Sequence, residues 1–122
     1  MIELELPYPP SVNHYYRRVG QRTLISRQGR RYREYVAELV KSAGVRPIAG
    51  RVELWLEFYP PDRRRRDLDN VLKALWDALE HGGIYHNDSQ VKKVTAEMLS
   101  PTPGGRVIAR IEYAQDRTAH PH

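Results

Sequence analysis

Between Arg51 and Tyr59 the chain alternates with a period of two. Val52, Leu54, Leu56 and Phe58 share one side; Arg51, Glu53, Trp55 and Glu57 share the other. Successive side chains of a strand point to opposite faces, so this pattern predicts a strand with one face buried. Pro60-Pro61 stops it. An apolar sheet face must be covered by a second layer, and the residues that follow can provide one. Leu72, Leu75, Trp76 and Leu79 recur at helical spacing, which predicts a helix over 70–80 ended by Gly82-Gly83. The chain is thereby committed to a sheet packed by helices.

The remaining segments extend that plan. Ile2, Leu4 and Leu6 alternate with Glu3 and Glu5 as a strand over 2–6, ended by Pro7, Pro9 and Pro10. Ser11-Val12-Asn13 reads as a loop, and residues 14–26 read as a hairpin turning near Gly20. Tyr32, Val36, Leu39, Val40 and Ala43 predict a helix over 29–43, with Gly44 at its C-terminal cap and Pro47 preventing continuation. Two strands, 91–99 and 106–113, follow a loop that carries His86-Asn87-Asp88-Ser89; a turn at 101–105 joins them. The order predicts an α+β fold, a single domain in which a mixed β-sheet is packed by two main α-helices. A length of 122 residues fits one domain. We expect it to occupy 1–114, with 115–122 as a flexible tail.

Composition narrows the function classes. The chain has no cysteine, which excludes disulfide scaffolds, cysteine-ligated zinc and thiol nucleophiles. No apolar run approaches the roughly 18 residues of a membrane span, so no membrane partner is expected. Met1-Ile2-Glu3-Leu4-Glu5 lacks a basic stretch followed by an apolar one, so no signal peptide is expected and the protein is read as cytoplasmic.

The net charge of +5 hides a stronger local asymmetry. Arg17, Arg18, Arg22, Arg27, Arg30, Arg31 and Arg33 crowd into 17–33 with no acid among them; removing these seven turns the remainder of the chain negative. Arg63-Arg64-Arg65-Arg66 forms a second block. A GC-rich genome explains a preference for arginine over lysine but not this clustering. Clustered arginine on a near-neutral domain points to a polyanion such as nucleic acid. The first turn of the 29–43 helix is basic, unfavourable for its dipole, and an anionic ligand would offset that cost.

Asp67-Leu68-Asp69-Asn70 lies between the second arginine block and the helix. In an extended stretch, Asp67 and Asp69 would present both carboxylates to one point while Leu68 anchors inward. Two hard oxygen ligands beside a phosphate-binding patch suit Mg²⁺, or Mn²⁺, in phosphodiester hydrolysis. Lys73 lies one helical turn beyond Asp69 and can stabilise charge on the phosphate or help activate the attacking water. Asp88 is a natural third ligand. The helix advances about 18 Å, and the following seven residues can span about 23 Å back. The competing reading makes Asp69 a helix cap, Asp67 an ion-pair partner of a nearby arginine and Asp88 a turn residue.

Other groups carry less. His81 and His86 lack further zinc ligands at suitable spacing. Ser11 and Ser26 lack a partnered base. Gly104-Gly105 is a turn and not a phosphate loop, and no organic cofactor is expected. Trp55, on the polar face of its strand, is read either as a base-stacking or subunit-packing residue or as one covered by a further layer. Tyr15, Tyr16, Tyr32 and Tyr35 interleave with arginine, which suits phosphate and sugar contacts as well as ordinary amphipathic packing.

The run Pro60-Pro61-Asp62-Arg63-Arg64-Arg65-Arg66-Asp67-Leu68-Asp69-Asn70-Val71-Leu72-Lys73 and on to Leu79 resembles the RusA family of Holliday junction resolvases. Pro9-Pro10-Ser11-Val12-Asn13-His14-Tyr15-Tyr16-Arg17 and Gly83-Ile84-Tyr85-His86-Asn87-Asp88-Ser89-Gln90-Val91 resemble it too, in the same order. The resemblance implies a homodimeric, divalent-metal-dependent DNA endonuclease of bacteria and their prophages. Such an enzyme resolves four-way junction DNA by paired nicks in opposing strands, in recombination and repair. It assigns catalysis to Asp67, Asp69, Asp88 and Lys73, and metal binding to the three aspartates. Arg66 matches the arginine before the first of them. Where some relatives have Asp-Asp, this chain has Asn87-Asp88, which removes one negative charge beside the site. Charge and carboxylates alone imply a metal-dependent nuclease; junction specificity comes from the resemblance. The rival functions are a non-catalytic junction-binding or architectural protein and a general metal nuclease of flaps or single strands.

Overall fold

A computed structural model describes residues 1–113, and at Val12 the backbone alone. The expected tail over 115–122 and the domain boundary at 114 lie outside the described residues.

β1 (Ile2–Leu6) leads through the proline segment to a one-turn helix, α1 (Val12–Tyr15). A two-stranded hairpin follows, β2 (Tyr16–Val19) and β3 (Arg22–Ile25), and then α2 (Arg27–Ser42). β4 (Val52–Tyr59), α3 (Leu68–His81), β5 (Val91–Met98) and β6 (Arg106–Tyr113) complete the order. The four long strands make one sheet in the order β1-β6-β4-β5. β4 pairs parallel to β5 and antiparallel to β6, and β6 pairs antiparallel to β1. The fold is therefore α+β with a mixed sheet, as the element pattern predicts. α3 is the crossover that parallel pairing of β4 and β5 requires.

The period-two pattern is realised in burial. Val52, Leu54, Leu56 and Phe58 are buried, as are Val107, Ala109 and Ile111 beside them. α2 contributes Tyr32, Val36 and Val40 to this core; α3 contributes Val71, Ala74, Leu75, Ala78 and Leu79. Burying each valine, leucine, isoleucine or phenylalanine among them is worth roughly 1.5–3 kcal/mol. The opposite sheet face stays in solvent, with Trp55 43% exposed and no further layer over it among the described residues. Lys93 Nζ instead lies 5.8 Å from the Trp55 ring.

Both long helices end as their glycines require. Gly44 and Gly83 adopt left-handed φ values of 72° and 85°. The next amides, Val45 and Ile84, reach back to the carbonyls of Val40 and Leu79, each at 3.2 Å. That is the Schellman arrangement, which satisfies carbonyls a helix end leaves open.

The structure corrects two expectations. Residues 12–15 form a helical turn where a loop and the start of the hairpin were expected. The amides of His14 and Tyr15 both bond to Ser11 O, which winds the chain there. In addition, α3 begins at Leu68 rather than Asn70, with Asp67 extended (φ −92°, ψ 130°) as its N-cap.

Candidate active site

The early start of α3 changes the geometry of its carboxylates. Asp67 is the N-cap and Asp69 lies in the first helical turn. Asp67 is still extended while Asp69 is already helical, so the two do not share one continuous extended stretch, and they line different clefts. Asp67 lines a cleft with the Arg64–66 segment, α2 and the proline segment. Asp69 lines a neighbouring cavity of about 440 Å³ with Lys73, Asp77, Asp88, Tyr16, Leu72 and Trp76. The chain after α3 thus returns Asp88 to the face that carries Asp69 and Lys73. Among the described residues no three His, Cys, Asp or Glu side chains converge into a metal cage.

Of the competing structural roles, capping of α3 by Asp69 is not seen, because Asp67 is the N-cap, whereas Asp88 does lie in a turn, the one-turn 3-10 helix Asp88–Gln90. Asp67 makes no side-chain cap bond to α3. None of Asp67, Asp69 and Asp88 takes part in an ion pair among the described residues. All three are exposed. Lys73 is exposed as well, with Nζ 5.7 Å from the Tyr16 ring.

The loop that presents Asp88 is held by one side chain. Gln90 Oε1 accepts from the amides of His86 (2.7 Å) and Asn87 (2.9 Å). Its Nε2 donates to the carbonyls of Ile48 (2.7 Å) and Gly50 (2.8 Å). Asn87 Oδ1 accepts from the Ser89 amide at 2.8 Å, which completes a reciprocal capping box around a one-turn 3-10 helix, Asp88–Gln90. Asn87 therefore serves its own loop. Below it, burial pushes the Tyr85 hydroxyl pKa up, and the neighbouring Asp88 carboxylate adds to the shift.

Asp77 is the residue sequence reasoning missed. It lies two turns beyond Asp69 on the stripe Asp69, Lys73, Asp77. Its carboxylate accepts from Arg33 Nε at 2.8 Å and from the Tyr15 hydroxyl. Arg33 Nε also lies 3.1 Å from Tyr15 Oη. Burial opposes the charge of Arg33, but these hydrogen bonds outweigh it and raise its pKa. Burial, together with donation to Asp77, pushes the Tyr15 pKa well above its ordinary value. His81 Nε2 stands 3.9 Å from the other Asp77 oxygen. The spacing of four within α3 was the available signal; the partner on α2 had none.

Nine of the eleven arginines expected to meet phosphate (Arg17, Arg18, Arg22, Arg27, Arg30, Arg31, Arg63, Arg64 and Arg65) are exposed. Arg33 and Arg66 differ, because both are partly buried and each is ion-paired to a carboxylate, Asp77 and Asp62 respectively. Arg66 bonds Asp62 Oδ1 at 2.8 Å and Arg64 O at 3.0 Å, and its guanidinium lies 5.5 Å from the Tyr8 ring. The bond from Arg66 and the Arg64 amide lower the Asp62 pKa. Ser26, rejected above as a nucleophile for want of a base, caps α2 by accepting from the Gly29 amide at 2.9 Å.

The donor set fits a hard divalent cation in kind. Asp69 and Asp88 are unpaired carboxylates on one solvent-open cavity, and Mg²⁺ is commonly held by one or two carboxylates while waters and phosphate oxygens fill its remaining positions. No helix among the described residues is long and apolar enough to cross a membrane.

Residues 7–112 match the family model described as endodeoxyribonuclease RusA. The chain is 43% identical over 105 residues to the crossover junction endodeoxyribonuclease RusA of Escherichia coli (strain K12); the match covers 85% of this chain and 88% of that protein. Identity and coverage are the same for the crossover junction endodeoxyribonuclease rusA of Enterobacteria phage 82. A third relative, the crossover junction endodeoxyribonuclease RusA of Escherichia coli O139:H28 (strain E24377A / ETEC), is 40% identical over 114 residues, 93% of this chain and 95% of its own. The family match over 7–112 and this identity over most of both chains show that the chain belongs to the RusA family of endodeoxyribonucleases.

Proposed function

We propose that this protein is a crossover junction endodeoxyribonuclease, a divalent-metal-dependent hydrolase that resolves four-way DNA junctions by paired nicks. The observation that carries the reading is the exposed, unpaired carboxylate set of α3 and the Asp88 loop, with Lys73 among it and free arginines on both sides. Unpaired acids at the rim of a basic surface do little for stability but suit cation and phosphate chemistry.

Asp69 and Asp88 are the residues that would hold the cation, Mg²⁺ in our reading with Mn²⁺ as a substitute. Asp67, on the adjoining side of the first turn of α3, is a third ligand candidate. A bound cation supplies a water of lowered pKa and Lewis-acid stabilisation of phosphate charge. Lys73 places its ammonium where charge develops on the phosphate oxygens. The exposed arginines bind the backbone of the arms and make affinity depend on salt. The described residues 1–113 belong to the nuclease domain in this reading. Two such domains in a C₂ homodimer would present identical sites to the two-fold symmetry of a junction. The setting is DNA in the cytoplasm of a bacterium, in host or prophage service.

The test is cleavage of a mobile four-way junction beside a linear duplex of the same sequence, with and without Mg²⁺. Paired, Mg²⁺-dependent nicks in the junction alone support the reading. Tight junction binding without cleavage in Mg²⁺ or Mn²⁺ would make the protein an architectural binder instead. Equal cleavage of flaps or single strands would make it a general nuclease.

A further inference from the structure

The cleft beside the carboxylate cavity has a composition of its own. It encloses about 730 Å³ between α2, the Arg64–66 segment and the N-terminus of α3. That volume lies within the range of sites that enclose small organic ligands, roughly 300–1,000 Å³. Gln28, Arg31 and Tyr35 line it from one stripe of α2, and Arg64, Arg65 and Asn70 line it from the opposite side. The three guanidiniums make no ion pair among the described residues. Tyr35 is 57% exposed, although its ring follows the buried Tyr32 and precedes the buried Val36 on the same helix. An aromatic face left open beside free arginines, with two amide side chains that each donate and accept, matches the parts of a nucleotide. The ring offers a stacking surface, the guanidiniums meet phosphates, and the amides meet a base edge.

The position gives this cleft a relation to the carboxylates. Asp67 lines it, while Asp69, two residues on and at most about 7.6 Å away along the Cα trace, lines the neighbouring cavity. A strand crossing the first turn of α3 would touch both.

We propose that this cleft holds one unstacked nucleotide of the bound DNA strand, its base on Tyr35 and its flanking phosphates on Arg31, Arg64 and Arg65. Gln28 and Asn70 face its edge and make the cleft a source of sequence preference near the cut. The proposal rests on the junction-endonuclease reading and deepens it. Unstacking costs least where pairing and stacking are already weakened; a branch point interrupts the continuous stack, so such a cleft would favour junctions over continuous duplex.

The experiment is a double-mutant cycle between protein and DNA, read as binding in EDTA so that no cleavage occurs. Junctions carry a single abasic residue at each position within three nucleotides of the branch point. They are titrated with the wild-type chain, Tyr35→Ala and Tyr35→Phe. Tyr35 is exposed, so both variants should melt with the wild type. At one or two positions the abasic residue should weaken wild-type and Tyr35→Phe binding about tenfold, and Tyr35→Ala binding less than twofold. Equal effects on all three proteins at every position would overturn the cleft as a nucleotide site while leaving junction cleavage intact. The same scan on a single-stranded oligonucleotide separates the two readings. Coupling there, in a protein that shows no preference for junction over duplex, would sustain the cleft and overturn the junction reading.

Discussion

Arg33 on α2 donates from Nε to Asp77 Oδ2 on α3 at 2.8 Å, and the Tyr15 hydroxyl donates to the same oxygen. Three elements that are far apart in sequence meet on one carboxylate, and α3 carries Asp69 and Lys73 on the same stripe. The ion pair keeps only 23% and 22% of its side-chain exposure, so solvent screens it less than a surface pair. Asp77 therefore belongs to the frame of the site. Its charge is already neutralised by Arg33, which leaves Asp69 and Asp88 as the free carboxylates of the cavity.

Breaking this link by Asp77→Ala leaves the half-buried Arg33 and the buried Tyr15 without their acceptor. The expected loss is about 1–3 kcal/mol of stability, measured by urea unfolding. Combined with Arg33→Ala, the double variant should lose less than the sum of the single losses. Strict additivity would show that the two residues do not act as a pair.

Gln90 makes four hydrogen bonds to backbone that hold the Asp88 loop. Gln90→Ala should cost about 1–3 kcal/mol and lower the cleavage rate by misplacing Asp88. Junction affinity, which comes from arginines elsewhere, should stay near wild type. A variant that cleaves at the wild-type rate would remove Gln90 from the positioning of Asp88.

A Cβ at Gly29 would stand 2.3 Å from the Tyr15 carbonyl oxygen and 2.9 Å from Ile25 Cγ1. Gly29→Ala must push α2 away from α1 and the hairpin. It should destabilise the fold by about 1–3 kcal/mol, although alanine favours a helix interior. A melting temperature at or above wild type would contradict the close packing of α1 on α2.

Burial raises the pKa values of Tyr15, Tyr32 and Tyr85 above their ordinary value. A raised pKa in the folded state means that the stability linked to these hydroxyls is complete below the unfolded value near 10. It is lost as pH rises beyond that value toward the folded ones. Phenolate absorbance should therefore show the buried tyrosines ionising only as far-UV circular dichroism reports unfolding in alkali. Ionisation of all eight tyrosines before any unfolding would contradict their burial.

Much of this arrangement was legible beforehand where a pattern is local. The period-two runs at 2–6 and 51–59 became β1 and β4, and the glycines at 44 and 82–83 lie at helix ends. The start of α3 was less legible. The sequence reads Asp67 and Asp69 as an extended pair, or Asp69 as the helix cap; the carbonyl of Asp67 accepting from the amides of Asn70 and Val71 moves the cap to Asp67. In that arrangement the two residues line different clefts. Contacts across the fold were not legible. Nothing near Arg33 marks it as the partner of Asp77, because the pairing depends on how α2 and α3 lie on the sheet. For the same reason, two arginines in a basic run turned out to brace the protein, Arg33 through Asp77 and Arg66 through Asp62.

Lys73 has no ion-pair partner among the described residues and faces the carboxylate cavity. Lys73→Ala should slow junction cleavage about 10²–10³-fold and change affinity little, as read by single-turnover cleavage and gel-shift binding. An equal loss of both would make Lys73 a DNA-binding residue.

The most direct measurement compares junction binding and Mg²⁺-dependent junction cleavage for Asp67→Asn, Asp69→Asn and Asp88→Asn. Each substitution keeps the side chain's size and removes a charge that makes no ion pair within the described fold. The account predicts that all three variants fold and bind the junction at least as tightly as wild type, and that their cleavage is abolished. Cleavage at the wild-type rate by Asp69→Asn or Asp88→Asn would contradict the assignment of the cavity between α3 and the Asp88 loop as the catalytic centre.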